Sequence, residues 1–449
     1  MSDLIFDDIR SIGTDAWKKQ IEQDLKGITA EQLSKKDRDG ILISPFYNHE
    51  HSISTPRHIV EHNNWKSGAL LNEAESETQN KNALRTLSNG ADSITFSIDD
   101  KTDPSILLNE IQHDIVEINF QFRDRAPDFC QRLFDTLQKK NNLKLNGYLL
   151  LDPISLFVKG YHTDHEKRFD FWSRQCKHEL FKQTELSPYA INGSIYQNAG
   201  CSPATELSLI LSHLNEMLDR ISSDNLPLKD KAIHIIVTSS TRYFENVAKL
   251  RALGVLVKHV LKEYSLENEI RIHTFSSLLD KTAADAYNNL IRTTLEGMGS
   301  IAGGSNTIHL IPYDFVGNKS DTESSRLAIN QLLIFKEEAF LNVVADIAAG
   351  SFFVETYTDE LIQLAWTKFK QWEDKGGLIV LSESGELKQI VDTEANELKK
   401  EYVSGKRILV GVNKFRNEKE TKAERNFHGS ALEKGITPVF AEEWINMAT

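Results

Sequence analysis

From about residue 80 the chain repeats one unit, a short β-favouring run followed by a helical segment of roughly ten to twenty residues. The runs fall at 93–98, 116–122, 145–151, 190–196, 233–238, 271–275 and 307–311. Amphipathic segments between them include 127–140, 204–220 and 242–264. An eighth unit is expected between residues 343 and 355. Strand–helix repetition of this kind demands parallel strands joined by right-handed crossovers. Seven or eight units over roughly 330 residues predict an α/β protein, a (β/α)8 TIM barrel. An open doubly wound sheet would carry a glycine-rich nucleotide turn, which is absent here.

Alternation within the runs assigns their faces. Ile94, Phe96 and Ile98 share one side of the first run, and Ser93, Thr95 and Ser97 share the other. In the second, Ile118, Phe120 and Phe122 oppose Glu117, Asn119 and Gln121. The apolar side belongs against the helices, which turns small or polar side chains toward the barrel axis. Barrel axes are usually filled by branched aliphatics. A polar axis implies either a ligand channel or a hydrogen-bonded core, and the sequence leaves both open.

Three parts are expected along the chain. Residues 1–60 form an N-terminal arm with a helix around Trp17, Ile21 and Leu25 that stops at Gly27, a turn at Asp39-Gly40, and a short extended run from Ile41 to Tyr47. So little apolar surface cannot build its own core, so the arm must lie on the rest of the chain or wrap a partner. Residues 61–415 form the barrel, with 406–415 read as a final strand and turn. Residues 416–449 form a charged tail, either a solvated extension or a docking strap.

Charge and cysteine content narrow the function. Lys and Arg number 52 against 65 Asp and Glu, a net charge of −13. That surplus repels nucleic-acid phosphates and anionic membrane surfaces. The three cysteines, Cys130, Cys176 and Cys201, form no C-x-x-C pair, which excludes disulfide scaffolds and zinc ribbons. The acidic start MSDLIFDDIR is unlike a signal peptide, and a cytoplasmic protein is expected.

Familiar catalytic patterns are missing: there is no G-x-x-x-x-G-K-[ST] loop, no G-x-G-x-x-G after a strand and no H-E-x-x-H. His49 and His51, and His162 and His165, lack a third ligand in sequence and read as surface pairs, so no metal site is expected. His234, His273 and His309 each lie in a predicted strand, where a histidine is more often a satisfied core residue than a general acid. Gly303-Gly304 opens into a strand and reads as a tight turn.

Longer segments carry more information. Residues 285–314 (DAYNNLIRTTLEGMGSIAGGSNTIHLIPYD), 324–331 (SSRLAINQ), 343–366 (VVADIAAGSFFVETYTDELIQLAW) and 372–377 (WEDKGG) resemble the methylmalonyl-CoA mutase family. So do 197–211 (QNAGCSPATELSLIL), 243–252 (YFENVAKLRA) and 411–417 (GVNKFRN), and in the arm Trp17, Leu25-Lys26-Gly27, Asp39-Gly40 and Pro45 to Tyr47. The resemblance covers nearly the whole chain in order. It implies a barrel threaded along its axis by an acyl-CoA chain, and adenosylcobalamin radical chemistry that interconverts methylmalonyl-CoA and succinyl-CoA in a site closed to water. Ser93, Thr95, Ser97, Gln197 and His273 are the substrate-channel candidates.

Departures from the family pattern set the expectation for this chain. Catalytic members carry a cobalamin domain with an Asp-x-His-x-x-Gly motif after the barrel; that motif is absent, and 34 residues follow Phe415. Ile195 stands where catalytic members place a histidine ahead of the Q-x-A-G segment, and it cannot donate a hydrogen bond to a thioester carbonyl. Phe275 replaces a family glutamine, and the turn after Asp346 is altered at Ile347 and Ala349. No catalytic or cofactor-binding residue is therefore expected. The resemblance implies a small, non-catalytic subunit that forms a heterodimer with a large catalytic subunit holding adenosylcobalamin. The alternative is an acyl-CoA-binding, catalytically competent barrel that works with a separate cobalamin-binding chain.

Overall fold

A computed structural model describes residues 13–51, 60, 63–122, 127–160, 164–317, 322–417 and 435–448. Parallel strands β1 (Lys66–Leu71), β2 (Ser93–Ile98), β3 (Glu117–Phe122), β4 (Asn146–Leu150), β5 (Glu185–Ser187 and Ala190–Asn192), β6 (Ile233–Ser239), β7 (Ile270–Ser276) and β8 (Thr307–His309) stand in chain order around an axis. β5 comes in two halves because Pro188 interrupts it and has no N–H to give. The first half pairs with β4 and the second with β6. Thr307 of β8 pairs with Lys66 of β1 and joins the ring's two sides. The chain is an α/β protein with the (β/α)8 barrel architecture.

The helices named below are α1 (Thr14–Asp24), α2 (Pro203–Ser223), α3 (Tyr243–Glu263), α4 (Asn288–Gly303), α5 (Phe352–Glu373), α6 (Glu386–Val403) and α7 (Ala441–Ala448). The main core lies between strands and helices, as the alternation requires. Ile94, Phe96, Ile118 and Phe120 are fully buried there, and Phe120 meets Phe129 edge-on at 5.2 Å. Each such aromatic contributes roughly 2–3 kcal/mol by leaving water. Cys130, Cys176 and Cys201 are buried and free. Among the described residues no helix is long and apolar enough to cross a membrane.

Four expectations need correction. The barrel's remaining strand is β1, ahead of the repeat rather than within 343–355; that later stretch is a series of turns followed by α5, whose first turn is capped by Ser351. β1 was hidden because Gly68 breaks its alternation. The run at 190–196 leaves the sheet at Asn192, and Ser194–Asn198 is a helical turn. Residues 406–415 make no strand, only a turn with a single bridge between Val410 and Lys414. The tail beyond 435 is not a solvated extension: Ile436, Phe440, Ala441 and Ile445 are buried.

Part of the arm folds back on its own barrel. A two-strand hairpin, Lys35–Lys36 against Leu42–Ile43, carries Arg38 and Asp39 at its turn. Arg38 donates to the carbonyls of Gly200 (2.6 Å) and Cys201 (3.2 Å). Asp39 accepts from Ala204 N–H (3.0 Å) and Ser202 Oγ (2.6 Å), so it caps α2 from outside that helix. By contrast α1 has no buried residue, and Trp17 and Leu25 are 36% and 39% exposed.

The C-terminal strap crosses the barrel's C-terminal face. Ile436 N–H bonds Val158 O (3.1 Å) in the β4 loop, Val439 N–H bonds Asn198 O (2.8 Å) beyond β5, and Ala441 N–H bonds Leu279 O (2.9 Å) after β7. The Glu442 carboxylate accepts from Ala283 N–H (2.8 Å) and Ala284 N–H (3.0 Å).

Candidate functional site

The polar faces read from β2 and β3 do turn inward, and they bond to one another. Glu117, 2% exposed, accepts from Lys66 Nζ (2.9 Å), Ser93 Oγ (3.0 Å) and Thr307 Oγ1 (3.0 Å). Asn119 Nδ2 donates to Ser93 Oγ (3.0 Å), and its Oδ1 accepts from Tyr148 N–H (3.0 Å). Burial opposes ionisation of Glu117, yet His273 and Lys66 outweigh it and hold the carboxyl well below its usual range. Burial pushes His273 itself down to about 4, so at pH 7 that imidazole is neutral and Lys66, 2.9 Å away, is the cation bonded to the Glu117 carboxylate.

Histidines occupy the middle of the axis. His234 Nδ1 lies 2.8 Å from His273 Nε2, so one of the two nitrogens must donate, and His273 Nδ1 lies 3.9 Å from Glu117 Oε1. His309 Nε2 meets Thr95 Oγ1 at 3.0 Å, and Phe275 lies flat on the His309 ring, centroids 4.1 Å apart and planes within 3°. Room for His309 exists because position 68 is glycine: a Cβ there would sit 2.6 Å from His309 Nε2. Of the channel candidates, Ser93, Thr95 and His273 are fully buried in this network, while Ser97 is partly exposed at the end of β2. Gln197 lies apart from them toward the C-terminal face, where its Oε1 accepts from Thr238 Oγ1 (2.8 Å) and Ser277 Oγ (3.0 Å). Ile195 is buried one helical turn beyond β5, on the same segment.

Sequence reasoning missed three buried polar groups. Lys281, fully buried, bonds Asp280 (2.6 Å) and Glu296 (2.5 Å). Burial pushes Glu296 up to about 8, since one ammonium cannot neutralise two buried carboxylates. Tyr196 OH, His213 and Asp152 form a second chain, with His213 Nδ1 3.0 Å from the hydroxyl and Nε2 2.9 Å from the carboxylate. Arg251 joins α3 to Asp346 (2.5 Å) and Glu355 (2.7 Å). The second and third join residues far apart in sequence, and each charge alone reads as a solvated surface group. The two histidine pairs stay peripheral: His51 Nδ1 bonds Asn48 and His165 lies beside Glu166 and Glu383, while His162 is outside the described residues. Among the described residues no group of three or more His, Cys, Asp or Glu side chains could hold a metal ion.

A long hydrogen-bonded axis in a (β/α)8 barrel fits more than one chemistry, and comparison with known proteins narrows it. The family profile described as methylmalonyl-CoA mutase matches residues 90–434. The chain belongs to the methylmalonyl-CoA mutase family. A methylmalonyl-CoA mutase small subunit from Porphyromonas gingivalis is 28% identical, over 94% of this chain and 72% of that one. A methylmalonyl-CoA mutase from Rhizobium meliloti is 29% identical over 62% of this chain and 40% of that protein. The methylmalonyl-CoA mutase large subunit of the same P. gingivalis strain is 30% identical over 53% of this chain and 34% of its own length. This chain thus spans less than two thirds of the latter two mutases.

Proposed function

We propose that this chain is the small, non-catalytic subunit of an adenosylcobalamin-dependent methylmalonyl-CoA mutase. On this reading it stabilises a separate large subunit, which holds the cofactor and isomerises methylmalonyl-CoA and succinyl-CoA. One observation carries the proposal: the axis that an acyl-CoA chain would thread is filled by Phe275, His309, His273 and the Glu117 network. The existence of relatives named small and large subunit in one P. gingivalis strain supports a two-chain enzyme. The uncovered apolar residues of α1 supply a surface for the partner.

Adenosylcobalamin supplies carbon-centred radicals when bound, and the residues here do not fit as its resident holder. His213 spends both ring nitrogens on Tyr196 and Asp152, and His309 is engaged by Thr95 and covered by Phe275. Neither offers an imidazole to cobalt. We therefore assign the cofactor to the partner chain.

The test is co-purification with the large subunit and an isomerase assay with added adenosylcobalamin. Ile195→His and Phe275→Gln should leave activity of the complex unchanged. Trp17→Glu with Leu25→Glu should weaken assembly by roughly a hundredfold, the scale of two lost aromatic and aliphatic anchors. Turnover by this chain with a cobalamin-binding chain alone would sink the proposal. It would favour the second reading, an acyl-CoA-binding barrel that borrows its cofactor, whose appeal is the run of hydroxyls at Ser93, Thr95 and Ser97.

A further inference from the structure

We infer that helix α4 pairs with α4 of a second copy of this chain, across a two-fold axis at Ile291. The helix is built inside out. Its two charged residues, Arg292 and Glu296, are buried, whereas Tyr287 at its N-cap, Ile291 and Leu295 are 67%, 64% and 37% exposed. Those three are the exposed positions between 287 and 303, and the half-exposed ones, Asn288, Leu290, Thr294 and Met298, carry no charge either. A surface helix normally shows the opposite arrangement. Apolar side chains scattered singly on a surface need no explanation, but a continuous ridge of them marks a contact.

The inversion has a cause within the chain. Arg292 is drawn inward by the Val410 carbonyl (2.7 Å), Thr282 Oγ1 (2.8 Å) and Asn289 Oδ1 (2.8 Å), and Glu296 by Lys281. With both charges engaged inside, the four-residue spacing of 287, 291 and 295 leaves one apolar ridge outside. The turn at 408–411 widens the ridge on the flank of Asn288 and Arg292. A Cβ on Gly411 would lie 3.0 Å from Asn288 Nδ2, and Ile408 and Val410 of that turn are themselves exposed. On the other flank Gln331 Nε2 donates to the Leu290 carbonyl (2.9 Å) and to Thr294 Oγ1 (2.8 Å), which borders the ridge with a neutral amide.

Symmetry, charge and size together select a second copy as the occupant. The ridge is centred on Ile291, so antiparallel pairing sets Ile291 on Ile291 and Tyr287 on Leu295 of the other copy, large against small. Ridges of four-residue spacing interlock at about −50°, and a two-fold contact uses the same patch twice. Each copy carries a net charge of −13, so two copies meet at least cost through a face that has none. Tyr287, Ile291, Leu295, Ile408 and Val410 together present on the order of 450 Å². Used twice this is about 900 Å², and a polar rim brings it to the roughly 1,000 Å² of a specific contact. The arm is left clear, because its hairpin docks at the start of α2 and α3 stands between α2 and α4. The pairing is therefore independent of the mutase reading and compatible with it.

The experiment is sedimentation velocity of the full chain over micromolar concentrations, beside Ile291→Glu, Leu295→Glu and Tyr287→Phe. The native chain and Tyr287→Phe should sediment as dimers, and the two glutamate variants as monomers, with dissociation constants raised roughly a hundredfold or more. Ile291→Cys should be joined to its own kind by a short bismaleimide, whereas Lys262→Cys on α3 should not; Cys130, Cys176 and Cys201 are buried and stay silent. Unchanged circular dichroism and Tm identify a folded variant, which exposed positions permit. A monomeric native chain overturns the proposal, as does a dimer that survives both glutamate substitutions. With a large subunit present, a native complex of two copies of each chain that Ile291→Glu halves supports it. A native complex of one copy of each that Ile291→Glu splits gives the ridge to the large subunit and overturns it. Trp17→Glu with Leu25→Glu reads the arm separately, so failure of either idea leaves the other standing.

Discussion

At the scale of single residues, the buried charges set how stability responds to pH. Glu296 keeps its proton in the fold up to about pH 8, whereas its ordinary value is 4.5. Above pH 4.5 the unfolded chain has released a proton that the folded chain still holds, so this residue's contribution falls as pH rises from 4.5 through 8. His273 acts in the opposite sense. Its folded value near 4 lies below 6.5, so the unfolded chain binds the extra proton and stability rises with pH across that window. Glu296→Gln should remove the alkaline decline and leave the acid limb intact in a profile of Tm against pH. Parallel profiles for the two proteins would mean that Glu296 is ionised in the fold. Glu117→Ala strands the Ser93 and Thr307 hydroxyls and the Lys66 ammonium beside a void. It should cost about 3 kcal/mol in urea unfolding, less than a fully buried pair because Lys66 is one third exposed.

At the scale of elements, β2 and β3 could be read from sequence because strict alternation and two-sided burial agree in them. β1 could not, and β5 only in its second half, for physical reasons: a glycine under His309 erases the first pattern and Pro188 divides the second. The three strand histidines were legible as strand residues and His273 as a channel candidate, but their partners were not, since His309 meets Thr95 over β1 from 214 residues away. The Lys281–Glu296 pair was illegible for another reason: a loop lysine and a helix glutamate each look solvated until the fold buries both. Helix α2 illustrates a cap supplied by a distant segment. Ser202 precedes the helix but makes no side-chain cap, and Asp39 of the hairpin does so instead. Asp39→Ala should therefore lower stability by about 1–2 kcal/mol. It should also release residues 35–51 to protease while α2 stays protected, and a hairpin that remains resistant would show that Arg38 alone anchors it.

At the scale of the whole molecule, ring closure joins strands far apart in sequence. Thr307 pairs with Lys66, a contact of high sequence separation that must wait for everything between them. Trp65 reports on this seam, because it is buried against Ile301, Ile308 and Leu310 in a cluster of its own. In stopped-flow refolding the slowest fluorescence phase should belong to Trp65 and disappear in Trp65→Phe. A slow phase of unchanged amplitude in that variant would place the rate-limiting step elsewhere.

The docking of the hairpin onto the loop before α2 also has a consequence in time. Arg38 and Asp39 close on Gly200, Cys201 and Ala204, so the hairpin has no seat until about 160 further residues have been made. At ordinary synthesis rates of about 5–20 residues per second, that interval is roughly ten to thirty seconds. For its duration Trp17, Leu25 and Phe46 are presented to the surroundings of the nascent chain before their own barrel exists. A partner or chaperone that reads those residues therefore meets the nascent arm first, and the order of assembly is set by translation rather than by affinity.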